Sequence, residues 1–235
     1  MQALIFDCDG VLVDTERDGH RVAFNKAFAA KGLSDNWSVD RYHELLLTAG
    51  GKERMKRHFD ETAWPVPNEA REDFIKELHR LKTDIFMELI EEGQLPLRPG
   101  ISRIMHEAID AGVTLAVCST SNERAVQSIV DRLLGDRVSA NITVFAGDMV
   151  KAKKPDPAIY LLALSQLSLD RDKCVVVEDS NIGLTSARAA GIRCLVTKSS
   201  YTENEDFSAA QAIVPNMDDD NGQAVSISTL SALLN

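Results

Sequence analysis

Long apolar runs are missing from this sequence. No stretch of its 235 residues approaches the roughly 20 needed to cross a bilayer, so no membrane span is expected. Cysteine is scarce too. Cys8, Cys118, Cys174 and Cys194 are never spaced Cys-x-x-Cys, and all lie in or beside apolar runs. That argues against a disulfide framework or a zinc site and for buried thiols in a reducing compartment. Positive charge is in deficit: 26 Lys and Arg face 36 Asp and Glu, a formal net charge of -10. A general nucleic-acid surface is therefore excluded, though a local basic pocket for an anion is not. No internal repeat is visible. The sequence opens directly into an apolar run, so no leader is expected within it.

What is present fits a soluble α/β protein. Hydrophobic residues make up 44%, which is ordinary for a domain with a packed core. The length allows one domain, or a large one with a small companion. The organising stretch is Leu4-Ile5-Phe6-Asp7-Cys8-Asp9-Gly10-Val11. Its apolar start predicts a central strand. Gly10 then turns the chain, so Asp7 and Asp9 gather around one point above the strand end. Two carboxylates so close repel and call for a counter-charge. A hard divalent cation such as Mg2+ supplies it, with oxygen ligands.

From Glu16 to about 92 the periodicity predicts helices and no strand. A first helix to about Lys31 carries Val22, Phe24, Ala27 and Phe28. A second, Val39 to Leu47, has Tyr42 and Leu46 on one face. A third starts beyond Gly50-Gly51 and ends near Phe59. A long helix from Glu69 to about Glu92 turns Phe74, Leu78, Leu81, Ile85, Phe86, Leu89 and Ile90 inward. Beyond a hinge at Pro96, Pro99 and Gly100, helix and strand alternate. Strands are expected at Val113–Cys118, Thr143–Ala146, Cys174–Glu178 and Arg193–Val196, the pattern of a parallel sheet. The tail after Ser200 predicts an acidic turn at Asp218-Asp219-Asp220 and a closing helix from Ile227 to Leu234.

The expected fold is a Rossmann-like α/β core, residues 1–15 and 96–235, interrupted by a small helical cap over 16–92. Ligands of such sheets bind outside the strands' carboxyl ends, and a cap inserted there would lie over that crevice.

Chemistry recurs at those strand ends. One ends in Asp7 and Asp9, another in Ser119-Thr120-Ser121-Asn122, a third in Glu178-Asp179. A lysine run, Lys151-Ala152-Lys153-Lys154, precedes Pro155. Together these residues suit a metal and a dianion. Phosphoryl transfer needs mostly positioning and charge neutralisation. Asp7 is the candidate nucleophile on phosphorus. Asp9 is the candidate acid for the leaving oxygen and then base for the incoming water. Asp179, Glu178, Asp7 and the Asp9 carbonyl would hold Mg2+, while Ser119 and Lys154 hold the non-bridging oxygens. Plainer readings stand beside these. Ser119 would simply cap the next helix, the lysine run would be a solvated face, and the acid pair a polar strand end.

These residues resemble a known family. Asp7-x-Asp9-Gly10-Val11, Ser119, Lys154-Pro155 and Glu178-Asp179-Ser180-x-x-Gly183 resemble the four motifs of haloacid-dehalogenase-like phosphatases with a small helical cap. Asp14-Thr15-Glu16, Gly50-Gly51-Lys52-Glu53-Arg54, Leu97-Arg98-Pro99-Gly100, Ala146-Gly147-Asp148 and Tyr201-Thr202 are similar to the CbbY family. The run Cys118-Ser119-Thr120-Ser121-Asn122 resembles its plant-type members. The resemblance implies a Mg2+-dependent phosphatase that converts xylulose 1,5-bisphosphate, an inhibitor of Rubisco, to xylulose 5-phosphate. It also implies a monomer without a stable physical link to Rubisco, placed in the plastid stroma or a bacterial cytoplasm, with the stroma favoured.

A bisphosphate needs a second anion site, and the cap is where it is expected. Lys52 and Arg54 follow the helix start at Gly51, where backbone N–H groups and cations would suit the distal phosphate. Glu16 would accept hydrogen bonds from sugar hydroxyls. His20, four residues on, shares its helical face, although related phosphatases often place this histidine one residue earlier. Arg98 is a candidate for phosphate contact or cap closure. Thr120, Ser121 and Asn122 would line the substrate with Ser119. Trp37 and Trp64 are expected in the cap core. The rivals are a β-phosphoglucomutase-like mutase, a phosphoglycolate phosphatase and a non-enzymatic module.

Overall fold

A computed structural model describes every residue except Ala49, Asp220, Asn221 and the side chain of Asp148. The acidic turn expected through Asp220, and the side chain of Asp148 in its motif, thus lie outside the described residues. The chain divides into two compact units, Met1–Thr15 with Leu95–Asn235, and Glu16–Gln94.

The first unit begins with β1 (Ala3–Phe6), all four residues buried. The second unit is helical: α1 (Arg21–Ala30), α2 (Val39–Leu46), α3 (Gly51–Glu61) and α4 (Arg71–Glu91). Its core is aromatic. Phe24, Phe28, Trp37, Tyr42 and Phe59 are almost wholly buried, with the Trp37 ring 4.7 Å from Phe24 and 4.9 Å from Phe28. Such side chains, once buried, contribute about 1.5–3 kcal/mol each.

Two inward sets need correction. On α2 it is Leu45, beside Tyr42, that is buried, and Leu46 is only half-buried. On α4 the buried face is Ile75, Leu78, Lys82, Phe86, Leu89 and Ile90. Phe74, Leu81 and Ile85 lie at its margin. The α-helix also begins later than expected: residues Asn68–Ala70 form a 3-10 turn, and α4 starts at Arg71.

The first unit then resumes with α5 (Ile101–Asp110), β2 (Thr114–Cys118), α6 (Glu123–Leu133), α7 (Gly135–Ser139), β3 (Ile142–Phe145), α8 (Ala158–Gln166), β4 (Cys174–Glu178), α9 (Asn181–Ala189), β5 (Arg193–Thr197), β6 (Ala212–Val214) and α10 (Ile227–Ala232). All strand pairs are parallel, in the order β3-β2-β1-β4-β5-β6. The sixth strand and α7 were not expected from the sequence. One face of the sheet, with Ile5, Ala116, Val176 and Cys194, packs on Ile159, Tyr160 and Ala163 of α8 and on Leu184 and Ala187 of α9.

Register sets the site. Phe6 lies level with Val117 and Val177. The chain therefore leaves three neighbouring strands on one edge, at Asp7, at Ser119 and at Asp179. Just beyond, Val13 bridges Leu97 in antiparallel fashion, and the Arg98 N–H donates to Leu12 O at 2.8 Å.

Candidate active site

The charged centre of the first unit is built on Lys154. Its ammonium donates to Asp7 Oδ1 at 2.5 Å, to Glu178 Oε1 at 2.8 Å and to Cys118 O at 2.9 Å. Lys154 precedes a proline, joined to it by a cis peptide bond, and among its run it is the one turned inward: Lys151 is exposed, and Lys153 donates to Gly147 O instead. Asp7, Glu178 and Asp179 are buried and offer oxygens within 4.8 Å of one another.

The three carboxylates outnumber the Lys154 ammonium, which pairs with Asp7 and Glu178, and the Arg98 guanidinium, whose charge acts on Asp179, so negative charge is in excess. Burial pushes Asp7 up to about 7, against the pull of Lys154 and with the help of Glu178 and Asp9. Burial, with Asp7 and Glu178 beside it, also holds Asp179 well above the usual carboxylate range. Burial works against the Lys154 ammonium, but Asp7 and Glu178 outweigh it and raise its pKa.

This arrangement fits a divalent cation. The donors are hard oxygens, their mutual repulsion is what a cation relieves, and Glu178 Oε2 is buried without a hydrogen-bond partner. Two glycines make the room. At Gly10, with φ +77°, a Cβ would stand 1.9 Å from Asp179 Oδ2, and at Gly183 a Cβ would stand 1.9 Å from Glu178 Oε2. No side chain fits at either place.

Asp9 is held apart from this group. Its Oδ1 accepts from Thr15 Oγ1 at 2.6 Å, and its Oδ2 accepts from Ser121 Oγ. Ser119 is buried at the end of β2; its N–H donates to Phe145 O and its Oγ accepts from the Ser121 N–H at 3.1 Å. The helix that follows is capped by Asn122, whose Oδ1 accepts from Ala125 N–H. Capping is thus the role found for Asn122 and not for Ser119. Thr120 is half-buried between them.

Arg98 corrects another expectation. Its Nη1 donates to Gly10 O, to Thr197 O at 3.1 Å and to Thr197 Oγ1 at 2.9 Å; its Nη2 donates to Lys198 O at 2.6 Å and Pro215 O at 3.1 Å. The guanidinium is thus committed to carbonyls around the Gly10 turn, which leaves it unsuited to phosphate.

In the helical unit, Glu16 and His20 are joined by a turn of π-helix, Thr15–His20. A turn closed by i→i+5 bonds holds one residue more than an α turn, which absorbs the additional residue noted between them. Glu16 Oε2 accepts from Tyr42 OH at 2.6 Å, and Arg54 Nη1 lies 3.1 Å from that hydroxyl and 3.8 Å from Glu16 Oε2. Arg54 Nε also donates to Thr48 O. Lys52 does not join Arg54. It is exposed and lines a shallow groove with Lys56, Asp60, Trp64 and Arg71. Residues two apart on a helix do not face each other. At Gly51 a Cβ would come within 2.9 Å of His79 Nε2. Trp37 is core, as expected, while Trp64 is half-buried beneath the Arg71 guanidinium, 4.5 Å from its ring.

The residue that sequence reasoning missed is Lys82. It is 7% exposed, donates to His20 Nδ1 at 2.9 Å and lies over the rings of Phe24 and Phe86. Burial, aided by Arg54 and opposed by Glu16, lowers it to about 8. Burial and Lys82 keep His20 neutral, well below its usual range. The only trace in the sequence is its position, four residues before Phe86 and four after Leu78.

Comparison with known proteins agrees with this picture. The sequence profile of the haloacid dehalogenase-like hydrolases matches residues 1–191. The chain is 55% identical over 90% of its length to a CBBY-like protein of Arabidopsis thaliana, covering 67% of that protein. It is 42% identical over 92% of its length to protein CbbY of Rhodobacter capsulatus, covering 94% of it. Among solved structures, CbbY from Rhodobacter sphaeroides in complex with phosphate superposes with a TM-score of 0.74 at 38% identity, over 98% of this chain and 99% of that one. A variant of the same protein in complex with xylulose-(1,5)bisphosphate gives 0.74 at 37% identity, with the same coverage. With its acids and lysine gathered at the end of the central strand, the chain belongs to the haloacid dehalogenase-like hydrolases and is closely related to the CbbY proteins.

Proposed function

We propose that this protein is a CbbY-type phosphatase that hydrolyses xylulose 1,5-bisphosphate to xylulose 5-phosphate. The observation that carries the reading is the Lys154 bridge between Asp7 and Glu178, with Asp179 alongside. It occurs in a chain alignable almost end to end with the sugar-bisphosphate complex named above. In this mechanism a carboxylate oxygen of Asp7 attacks phosphorus, and the bond to the sugar oxygen breaks as Asp9 delivers a proton to that oxygen. The aspartyl phosphate is then hydrolysed by a water from which Asp9 takes the proton. Lys154 and Ser119 steady the non-bridging oxygens. Asp7, Glu178 and Asp179 would hold Mg2+, which would supply neutralisation of the phosphoryl charge. Arg54 and Lys82, with Glu16 and His20, receive the distal phosphate and the sugar. No helix among the described residues is long and apolar enough to cross a membrane, and the substrate is a small polar molecule. The link to Rubisco is then the metabolite, without a lasting complex, and the protein works as a monomer. The higher identity to the plant relative favours the plastid stroma.

The test is phosphate release with Mg2+ from a panel of sugar mono- and bisphosphates, with Asp7→Asn as control. Xylulose 1,5-bisphosphate should lead the panel, and the control should fall by at least about 10³-fold. A preference for a monophosphate, or interconversion of sugar phosphates without release, would replace the reading with phosphoglycolate-type hydrolysis or mutase chemistry.

A further inference from the structure

Tyr160 sits in α8 on a face that is otherwise apolar: Ile159, Ala163 and Leu164 pack beside it in the core beneath the sheet. It is 0% exposed. A hydroxyl placed there costs stability unless it is paired, and a phenylalanine would fill the same volume. The hydroxyl has one partner, Glu178 Oε1, to which it donates. That oxygen also accepts from Lys154. The other oxygen, Oε2, has no partner. Lys154 Nζ in turn lies 5.0 Å from the centre of the Tyr160 ring.

We propose that Tyr160 is a positioning residue for the reaction. Its hydroxyl, together with Lys154, engages one oxygen of Glu178 and so leaves the other for a divalent cation. The inference deepens the proposed function and rests on its metal site, but not on the identity of the sugar. Two features converge on it. Two donors, the Tyr160 hydroxyl and Lys154, meet on Glu178 Oε1, while Oε2 has no hydrogen-bond partner, and the carboxylate lies where a Cβ on Gly183 would stand. Lys154 has three acceptors to serve, at Asp7, Glu178 and Cys118. With the hydroxyl present, Lys154 need not neutralise Glu178 alone and stays on Asp7. Without it, Glu178 draws Lys154 away and is free to turn.

Tyr160→Phe isolates the hydroxyl, since the ring and its face toward Lys154 remain. Partners of this kind commonly change metal affinity by 10–100-fold. Titration calorimetry with Mg2+ and no substrate should show the dissociation constant of Y160F raised at least about tenfold. Saturating Mg2+ should then restore most of kcat, with KM for the sugar phosphate unchanged. Unchanged Mg2+ affinity in folded Y160F overturns the proposal and leaves Tyr160 a core residue, whatever happens to Tm. Failure of the unsubstituted protein to bind Mg2+ overturns both this proposal and the metal in the proposed function. A cycle with Glu178→Ala covers the case in which Y160F alone does not fold. In the E178A background the loss of the hydroxyl should cost no further affinity, because its acceptor is gone. An additive loss there means that Tyr160 acts by another route, and also overturns the proposal.

Discussion

The α/β unit and the helical unit both bury charge, but of opposite sign. Around Lys154 the acids prevail: Asp7 and Glu178 share its ammonium with Asp179 close by, and Asp7 rises to about 7. Around Glu16 the bases prevail: Arg54 lies 3.8 Å from its carboxylate, Lys82 feels its charge but donates to His20, Lys82 falls to about 8 and His20 stays neutral. Neither cluster is electrostatically complete. On the proposed function the first would take a cation and the second an anion, and each would then trade some stability of its own unit for binding, the usual relation between a binding site and its scaffold. The comparison teaches that the sign of the deficit, more than the number of charges, identifies what each site awaits.

Lys154→Met should break the comparison most severely. It leaves Asp7 and Glu178 without the ammonium that bridges them, and losing one partner of such a buried group costs about 3–5 kcal/mol. Denaturant unfolding should show that loss, and the rate should fall by about 10²–10³-fold. Near-wild-type stability would mean the acids are already protonated.

Arg54→Ala is the corresponding test in the helical unit. Turnover of a sugar bisphosphate should lose about tenfold in kcat/KM, in line with a hydrogen bond to a charged group, while a monophosphate is unaffected. Equal losses on both substrates would remove the distal-phosphate role.

The metal sharpens the contrast through pH. Asp7 has a folded-state value of about 7, above the ordinary carboxylate range. The native state therefore holds a proton that the unfolded chain has released. Stability of the metal-free protein should fall as pH rises from about 4 to 7. Mg2+ binds the ionised acids, so the gain in Tm from adding it should be larger at pH 7.5 than at pH 5.5. A gain independent of pH would show that the metal does not compete with protons at these carboxylates.

The smallest effect, and of the opposite sign, is expected at Lys82. Its folded-state value is depressed, so the ammonium costs stability at neutral pH, and the cost fades as pH rises from about 8 toward 10.5. Lys82→Met should raise Tm by a few degrees at pH 7 and lose that advantage near pH 10. A lower Tm at pH 7 would identify the ammonium as a structural pillar.

Much of the α/β unit can be read from residues in sequence. Leu4-Ile5-Phe6 before Asp7, and Val175-Val176-Val177 before Glu178, are buried strands because only a two-sided sheet demands such runs. Register then carries the acids to one edge. The rest depends on contacts between distant residues. Lys82 reads as a solvated helix position, since nothing local reveals rings from two helices covering it. Tyr160 reads as core, because a hydroxyl's partner is invisible without the fold. Arg98, a cation beside a Pro-Gly hinge, reads as a candidate for phosphate contact or cap closure, until carbonyls from Gly10, Thr197, Lys198 and Pro215 converge on it. The strand Ala212–Val214 is too short to show an alternating pattern.

The bridge between Val13 and Leu97, with the Arg98 N–H on Leu12 O, has an evolutionary corollary. A polypeptide pinched shut at its neck tolerates great variation in what hangs beyond it, because loop entropy grows only with the logarithm of length. Grafting a shorter or longer helical module between those two anchor points should leave the parallel sheet folded. New substrate ranges are then reached by exchanging one replaceable segment, while the reacting groups stay where they are.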